Sequence, residues 1–223
     1  MRHQETPYIV PVCEEQIEIL YQDAHLLLID KPCMLLSTPG KHPLNRDSVI
    51  TRLRQQFPQA ELAHRLDMDT SGIMIIPLHK QAHRHISMQF QNRQVDKTYT
   101  AILYGQLQSQ SGEINLPMIC DWERRPLQKI CFTHGKPALT RYEVVERNTE
   151  NNTSRVIYTP ITGRSHQLRL HSQAIGHPIL GCDMYAHDTA YAMAKRLLLH
   201  ATWIRFTHPL SGKTIEGKSP VPF

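Results

Sequence analysis

The chain has 223 residues, 40% of them hydrophobic, 7% aromatic and 20% charged, the balance of a globular protein with one substantial core. No apolar run approaches the ~20 residues of a membrane helix and no apolar region follows the N-terminal charge, so neither a membrane partner nor a cleaved signal is expected, and the protein is read as cytoplasmic. A formal charge of +5 fits a polyanionic partner, while five scattered cysteines with no C-x-x-C pair exclude a thiolate zinc site and a disulfide framework.

Residues 1–16 show no periodicity and read as an irregular N-terminal tail, laid over the surface or disordered. Residues 17–223 read as a single domain. Residues 17–21 and 26–30 predict a β-hairpin whose second strand is apolar on both faces and therefore central. Lys31-Pro32 ends it, residues 37–46 form a polar loop, and Asp47 is the expected N-cap of a helix over 48–57 that Pro58 stops.

The stretch Leu62-Ala63-His64-Arg65-Leu66-Asp67-Met68-Asp69-Thr70-Ser71-Gly72 follows a strand-like run over 59–62 and turns into a buried strand over 73–76. An acid in a loop held between rigid elements is a candidate for chemistry, although Asp67 or Asp69 taken alone reads equally as a turn cap. A helix is expected over 80–94. His79 and His83 have i, i+4 spacing on it, but no third metal ligand follows, and they read as a solvated face. The alternating run 97–104 predicts a strand with Lys97, Tyr99, Ala101 and Leu103 on one face.

Short alternating runs over 113–116, 128–132 and 138–146 predict antiparallel sheet, with an excursion over 120–126. Trp122 lies there beside Arg124 and Arg125, a grouping that suits base stacking and equally suits a Trp anchoring its loop to the core. A strand over 155–160 leads through Thr162, a plausible cap, and Gly163 into a helix reaching about 175. Arg164, placed in its first turn, would offer a guanidinium and free amides to a phosphate. A short helix over 189–196 and a hairpin over 202–207 and 213–216 complete the chain.

His64-Arg65-Leu66-Asp67 with Thr70-Ser71-Gly72, Lys97-Thr98-Tyr99, and Gly163-Arg164-Ser165-His166-Gln167-Leu168-Arg169 together resemble the motif set of the RluA-type pseudouridine synthases. The resemblance extends over residues 17–223 and includes Ile29-Asp30-Lys31-Pro32, Pro178-Ile179-Leu180-Gly181 and Leu199-His200-Ala201. It implies an α+β fold: a long mixed, mainly antiparallel sheet with helices and loops on its faces and a central catalytic cleft. It also implies an isomerase that needs no cofactor or metal. The absence of an S4-type domain and the Cys120-Asp121-Trp122 segment place it with members acting on both 23S rRNA and tRNA, as a monomer.

On that resemblance Asp67 is the nucleophile, Arg169 keeps it ionised and oriented as its ion-pair partner, and Tyr99 stacks on the uracil. Arg65 fills the gap left by the flipped base, and Arg164 contacts phosphate. His64 and Thr70 meet the nucleic acid, His64 and His166 being hydrogen-bonded core histidines that flank the site. Two rival readings use the same residues: a non-catalytic RNA-binding protein with the same basic cleft, and a glycoside hydrolase pairing Asp67 with Asp69 or Asp121, which requires two acids about 5–10 Å apart.

Overall fold

The structure, a computed structural model, describes residues 8–223. Leu26, Leu27, Leu28 and Ile29 are all buried in strand β2 (Leu26–Lys31), as expected where both faces of a strand are covered. It pairs antiparallel with β1 (Glu18–Gln22) on one side and with β3 (Ser71–Pro77), buried along its whole length, on the other. Beyond β3 lies β10 (Leu199–Thr207), running parallel to it with His200 opposite Ser71 and Ala201 opposite Gly72.

The sheet continues antiparallel through β4 (Asp96–Tyr104), β9 (Thr153–Pro160), β8 (Leu139–Asn148) and β5 (Ser111–Asn115), while β11 (Thr214–Lys218) pairs with β10. This is the mixed, mainly antiparallel sheet anticipated, with nine strands among the described residues. Gly72 makes the β3 to β10 approach possible. It has φ +117° and a Cβ there would lie 2.3 Å from the Ala201 carbonyl oxygen, a contact only glycine avoids.

Helices α1 (Val49–Leu53) and α2 (Lys80–Gln91) accompany the β2/β3 half of the core. Leu168 of α3 (Gln167–Ala174) packs with β4 and β9 in the other half. Tyr99 packs against both halves. Strands β6 (Met118–Cys120) and β7 (Gln128–Ile130) form a separate hairpin, and α4 (Asp188–Ala192) is a single short helix.

Several local expectations give way. Residues 59–62 form no strand; Glu61 N donates to the Pro77 carbonyl at 3.0 Å and Leu62 packs on the core. Ser48, not Asp47, caps α1: its Oγ accepts from Thr51 N at 3.3 Å and Thr51 Oγ1 accepts from Ser48 N at 2.8 Å. Asp47 instead binds the Arg52 guanidinium at 2.6 and 2.8 Å. Helix α2 stops at Gln91 because Arg93 turns to φ 58°.

The described part of the expected tail, 8–16, has no regular structure, but Cys13 is buried and Arg52 donates to the carbonyls of Cys13 and Glu15. His79 and His83 are half-buried rather than solvated: His79 Nδ1 caps α2 by accepting from Ala82 N, and His83 hydrogen-bonds the Leu62 carbonyl.

Candidate active site

A cleft of about 1080 Å³ opens between the loop before β3, strand β4 and the start of α3. His64, Arg65, Asp67, Thr70, Tyr99, Arg164 and Arg169 all line it, so every site residue anticipated from the sequence reaches one chamber. They arrive from three segments far apart in the chain, which only the sheet order brings together.

The Asp67 loop is held by its backbone. Lys31, fully buried, donates Nζ to the carbonyls of Pro32, Leu35 and Met68 at 2.7, 2.8 and 3.0 Å. Burial pulls its pKa down to about 8, against the raising effect of Cys33, Asp69 and Asp67. Ser37 Oγ donates to the Leu66 carbonyl at 2.6 Å and accepts from Leu66 N at 3.2 Å. Cys33 Sγ donates to the Asp69 carbonyl at 3.1 Å, and Thr70 N closes a turn on the Asp67 carbonyl at 3.2 Å. The residues on either side of Asp67 are thus fixed by buried donors, which is how a loop presents a side chain with little freedom.

His64 lies behind this loop with Nε2 accepting from Ile75 N at 2.9 Å and its ring stacked on Phe90, centroids 4.4 Å apart. Burial, reinforced by the Lys97 charge, lowers its pKa to about 3, so the imidazole is neutral near pH 7. His166 takes a left-handed conformation, φ 56°, immediately before α3, and shares a 2.8 Å hydrogen bond with the Tyr185 hydroxyl. Burial, the largest influence, shifts its pKa downward. Both are structurally engaged histidines, as anticipated.

Tyr99 stands on β4 opposite Ala201 on one side and Tyr158 on the other. Burial raises its hydroxyl pKa and the Asp67 charge raises it further, so the phenol is protonated. Arg65 is exposed at the mouth of the cleft and Thr70 is buried in its wall.

Arg169 is where the geometry departs from expectation. Its side chain is 1% exposed and forms no salt bridge with Asp67: Nη1 donates to Asp69 Oδ2 at 3.3 Å, Nη2 to Asp183 Oδ1 at 2.5 Å, and Nε to Cys182 Sγ at 3.3 Å. A guanidinium presents its donors in a fixed fork, and from α3 that fork meets Asp69 and Asp183. Asp67 acts on Arg169 through its field. Burial opposes the Arg169 charge, yet Cys182, Asp67 and Asp69 outweigh it and the net pKa shift is upward. Burial likewise raises the Asp69 carboxyl, Asp183 and Asp67 adding to it and Arg169 opposing. Asp69, which by sequence can read as a turn cap, is the partner of the buried arginine.

Arg164 also departs from the expected pattern. It lies three residues before α3, and its amide donates to Gln167 Oε1 at 3.0 Å, so it offers the cleft a side chain but no free helical amide. Thr162 does not cap the helix; its Oγ1 accepts from Leu139 N and donates to Gln167 Oε1. Asp183, Cys182, Tyr185 and the buried Lys31 were not anticipated as site residues. Asp183 follows the Gly181-Cys182 turn with no spacing signal, whereas Lys31, which with Asp30 ends the apolar run Leu26 to Ile29, is the one visible hint.

Of the three acids weighed for a two-carboxylate hydrolase, only Asp67 lines the cleft. Asp121 is bound to Arg124 at 2.7 Å and Lys129 at 3.2 Å, and Asp69 to Arg169.

A profile described as RNA pseudouridylate synthase matches residues 25–174. The chain is 50% identical over 213 residues to the dual-specificity RNA pseudouridine synthase RluA of Escherichia coli K12, covering 96% of this chain and 97% of that protein. The protein of the same name from Yersinia pestis is 50% identical over 205 residues, covering 92% and 99%. Among solved structures, human RNA pseudouridylate synthase domain containing 1 superposes with a TM-score of 0.79 at 30% identity, covering 96% of this chain and 86% of that one. Human domain containing 4 gives a TM-score of 0.74 at 22% identity, covering 92% and 88%, a likeness of fold.

Proposed function

The chain belongs to the RNA pseudouridylate synthase family, and on that premise we propose that Asp67 is its catalytic nucleophile and that the cleft receives a uridine flipped out of a structured RNA. A synthase of this kind is an isomerase: the N1–C1′ bond breaks, the uracil turns, C5 bonds to C1′, and the C5 proton is exchanged for one on N1. The observation that carries the assignment is the meeting of Asp67, Tyr99 and Arg169 in one cleft.

Each residue has a task that its surroundings support. Asp67 attacks the ribose or the base, being the one acid of Asp67, Asp69 and Asp121 on the cleft wall. Arg169, held by Asp69 and Asp183, places a fixed guanidinium on the same cleft wall as Asp67 without bonding to it. Tyr99 offers a ring for the uracil to stack on and a hydroxyl held protonated by burial and by Asp67.

Extracting a base from its stack costs a few kcal/mol, and the exposed Arg65 at the cleft mouth fills the vacancy with a planar cation. Arg164 is the phosphate contact, and His64 and Thr70 shape the wall against the nucleotide. No organic cofactor or metal enters this scheme. Both 23S rRNA and tRNA are proposed substrates, supported by the dual specificity in the relatives' name. The active species is proposed to be a cytoplasmic monomer of one catalytic domain over 17–223.

The test is tritium release from C5-labelled uridine in RNA by the wild type and by Asp67→Asn. Release by the wild type alone is the expected result; equal release by Asp67→Asn overturns the nucleophile. A wild type that binds RNA without release indicates a binding module, and free uracil as product indicates a hydrolase.

A further inference from the structure

The β6–β7 hairpin stands at the rim of the same cleft, which Cys120, Arg125 and Gln128 also line. At its tip is a single 3-10 turn, Trp122–Arg124. Trp122 is 66% exposed, so it does not anchor the loop to a core. The Arg125 guanidinium lies 3.4 Å from the centre of the indole, covering one face and leaving the other bare to solvent.

This tip is built to hold its shape. Asp121 is 2% exposed and binds Arg124 at 2.7 Å and Lys129 at 3.2 Å, while its amide donates to the Leu127 carbonyl at 2.9 Å. The Tyr185 hydroxyl accepts from Gln128 N at 2.8 Å and is also hydrogen-bonded to His166, just before α3. The hairpin is therefore fixed relative to the segment that carries Arg164 and Arg169. A preformed aromatic surface loses little freedom when a ligand stacks on it.

We propose that the bare face of Trp122, backed by Arg125, is a stacking site for an unpaired nucleobase of the substrate RNA, distinct from the target uridine. Bases within a duplex have both faces occupied, so only a base in a loop or bulge can lie on the indole. The cation behind the ring strengthens its affinity for a flat polarisable partner and lies close to the phosphate chain. The site rests on the synthase reading and adds to it a contact that selects RNA with unpaired bases beside the target.

The experiment uses the full chain with Trp203→Phe, which leaves Trp122 as the sole tryptophan, and unmodified tRNA and 23S rRNA transcripts labelled at uridine C5. Binding of a transcript that releases tritium should quench Trp122 fluorescence, and a fully duplex RNA should not. Trp122→Ala should raise KM about 5- to 140-fold, the range of one lost base stack, with kcat at saturation near wild type. Trp122→Phe should recover most of the loss, and circular dichroism of both variants checks that the hairpin change leaves the fold intact. Absent quenching, equal quenching by duplex RNA, or an unchanged KM in a folded Trp122→Ala would each overturn the site. Tritium release by the wild type alongside any of these leaves the synthase reading standing, whereas no release by the wild type defeats that reading itself.

Discussion

Arg169 is bonded to Asp69 at 3.3 Å, across 100 positions of sequence, and not to Asp67 two residues earlier. The arginine thus acts as a fixed positive charge shared with Asp69 and Asp183, leaving the Asp67 carboxylate free of a direct pair and open to substrate. This division between an acid that holds Arg169 and an acid left open in the cleft distinguishes residues that composition treats as equal.

Asp69→Asn should retain tritium release within about tenfold of wild type, since an amide still accepts from Arg169 and the change removes a carboxylate strained by burial. Asp67→Asn should abolish release while binding RNA. Single-turnover assays on both variants check this; equal loss in the two would mean the nucleophile is misassigned.

Arg169→Leu should abolish turnover at saturation with little change in RNA affinity. It also leaves the largely buried Asp69 without its cation, and breaking such a buried pair costs roughly 3–5 kcal/mol. Adding Asp69→Asn to Arg169→Leu should restore part of the stability and none of the activity. Urea denaturation read beside tritium release separates the two effects, and a large loss of RNA affinity would make Arg169 a phosphate contact instead.

Acid should destabilise the fold. An unfolded histidine takes up its proton near pH ~6.5, whereas burial holds His64 down to about 3 and His200 down to about 4. Between those values the unfolded chain binds more protons, so stability is full above the unfolded pKa and falls with pH by up to about 1.4 kcal/mol per unit for each histidine. The urea midpoint should drop between pH 7 and 5, less steeply in His64→Gln, whose amide can still accept from Ile75 N. A flat midpoint in the wild type would contradict this.

Gly72→Ala should destabilise by roughly 2–4 kcal/mol or prevent folding, because it combines a disfavoured positive φ with a collision against the Ala201 backbone. Thermal unfolding is the measurement. A Tm within a degree or two of wild type would show that β3 and β10 can separate without cost.

RNA affinity should fall as salt rises, since Arg65, Arg164 and Arg125 line the cleft and phosphate neutralisation releases counterions. Arg164→Ala should reduce the slope of log affinity against log salt by about one. An unchanged slope would remove Arg164 from the phosphate contacts.

Local patterns foretold much of this molecule. The consecutive apolar residues of β2 and β3, the alternation of β4 and the helical spacing of α2 are read directly because side-chain direction repeats with a fixed period along a helix or strand. Boundaries were less legible where neighbouring residues compete: Ser48 and Asp47 are both good caps, and Gly163-Arg164-Ser165 resembles a helix start although the backbone turns left-handed at His166. The run 59–62 has strand-like residues but no strand partner, and β pairing is a property of two segments.

The site divides in the same way. Motif resemblance nominated Asp67, Tyr99 and Arg169, and all three line the cleft. Which carboxylate Arg169 holds, how Lys31 fixes the Asp67 loop, and that Trp122 is bare on one face depend on orientations set when distant segments pack. Residue types and spacing carry the chemistry available to a chain; the distances among side chains from Asp69, Arg169 and Asp183 arise only when the sheet places them together.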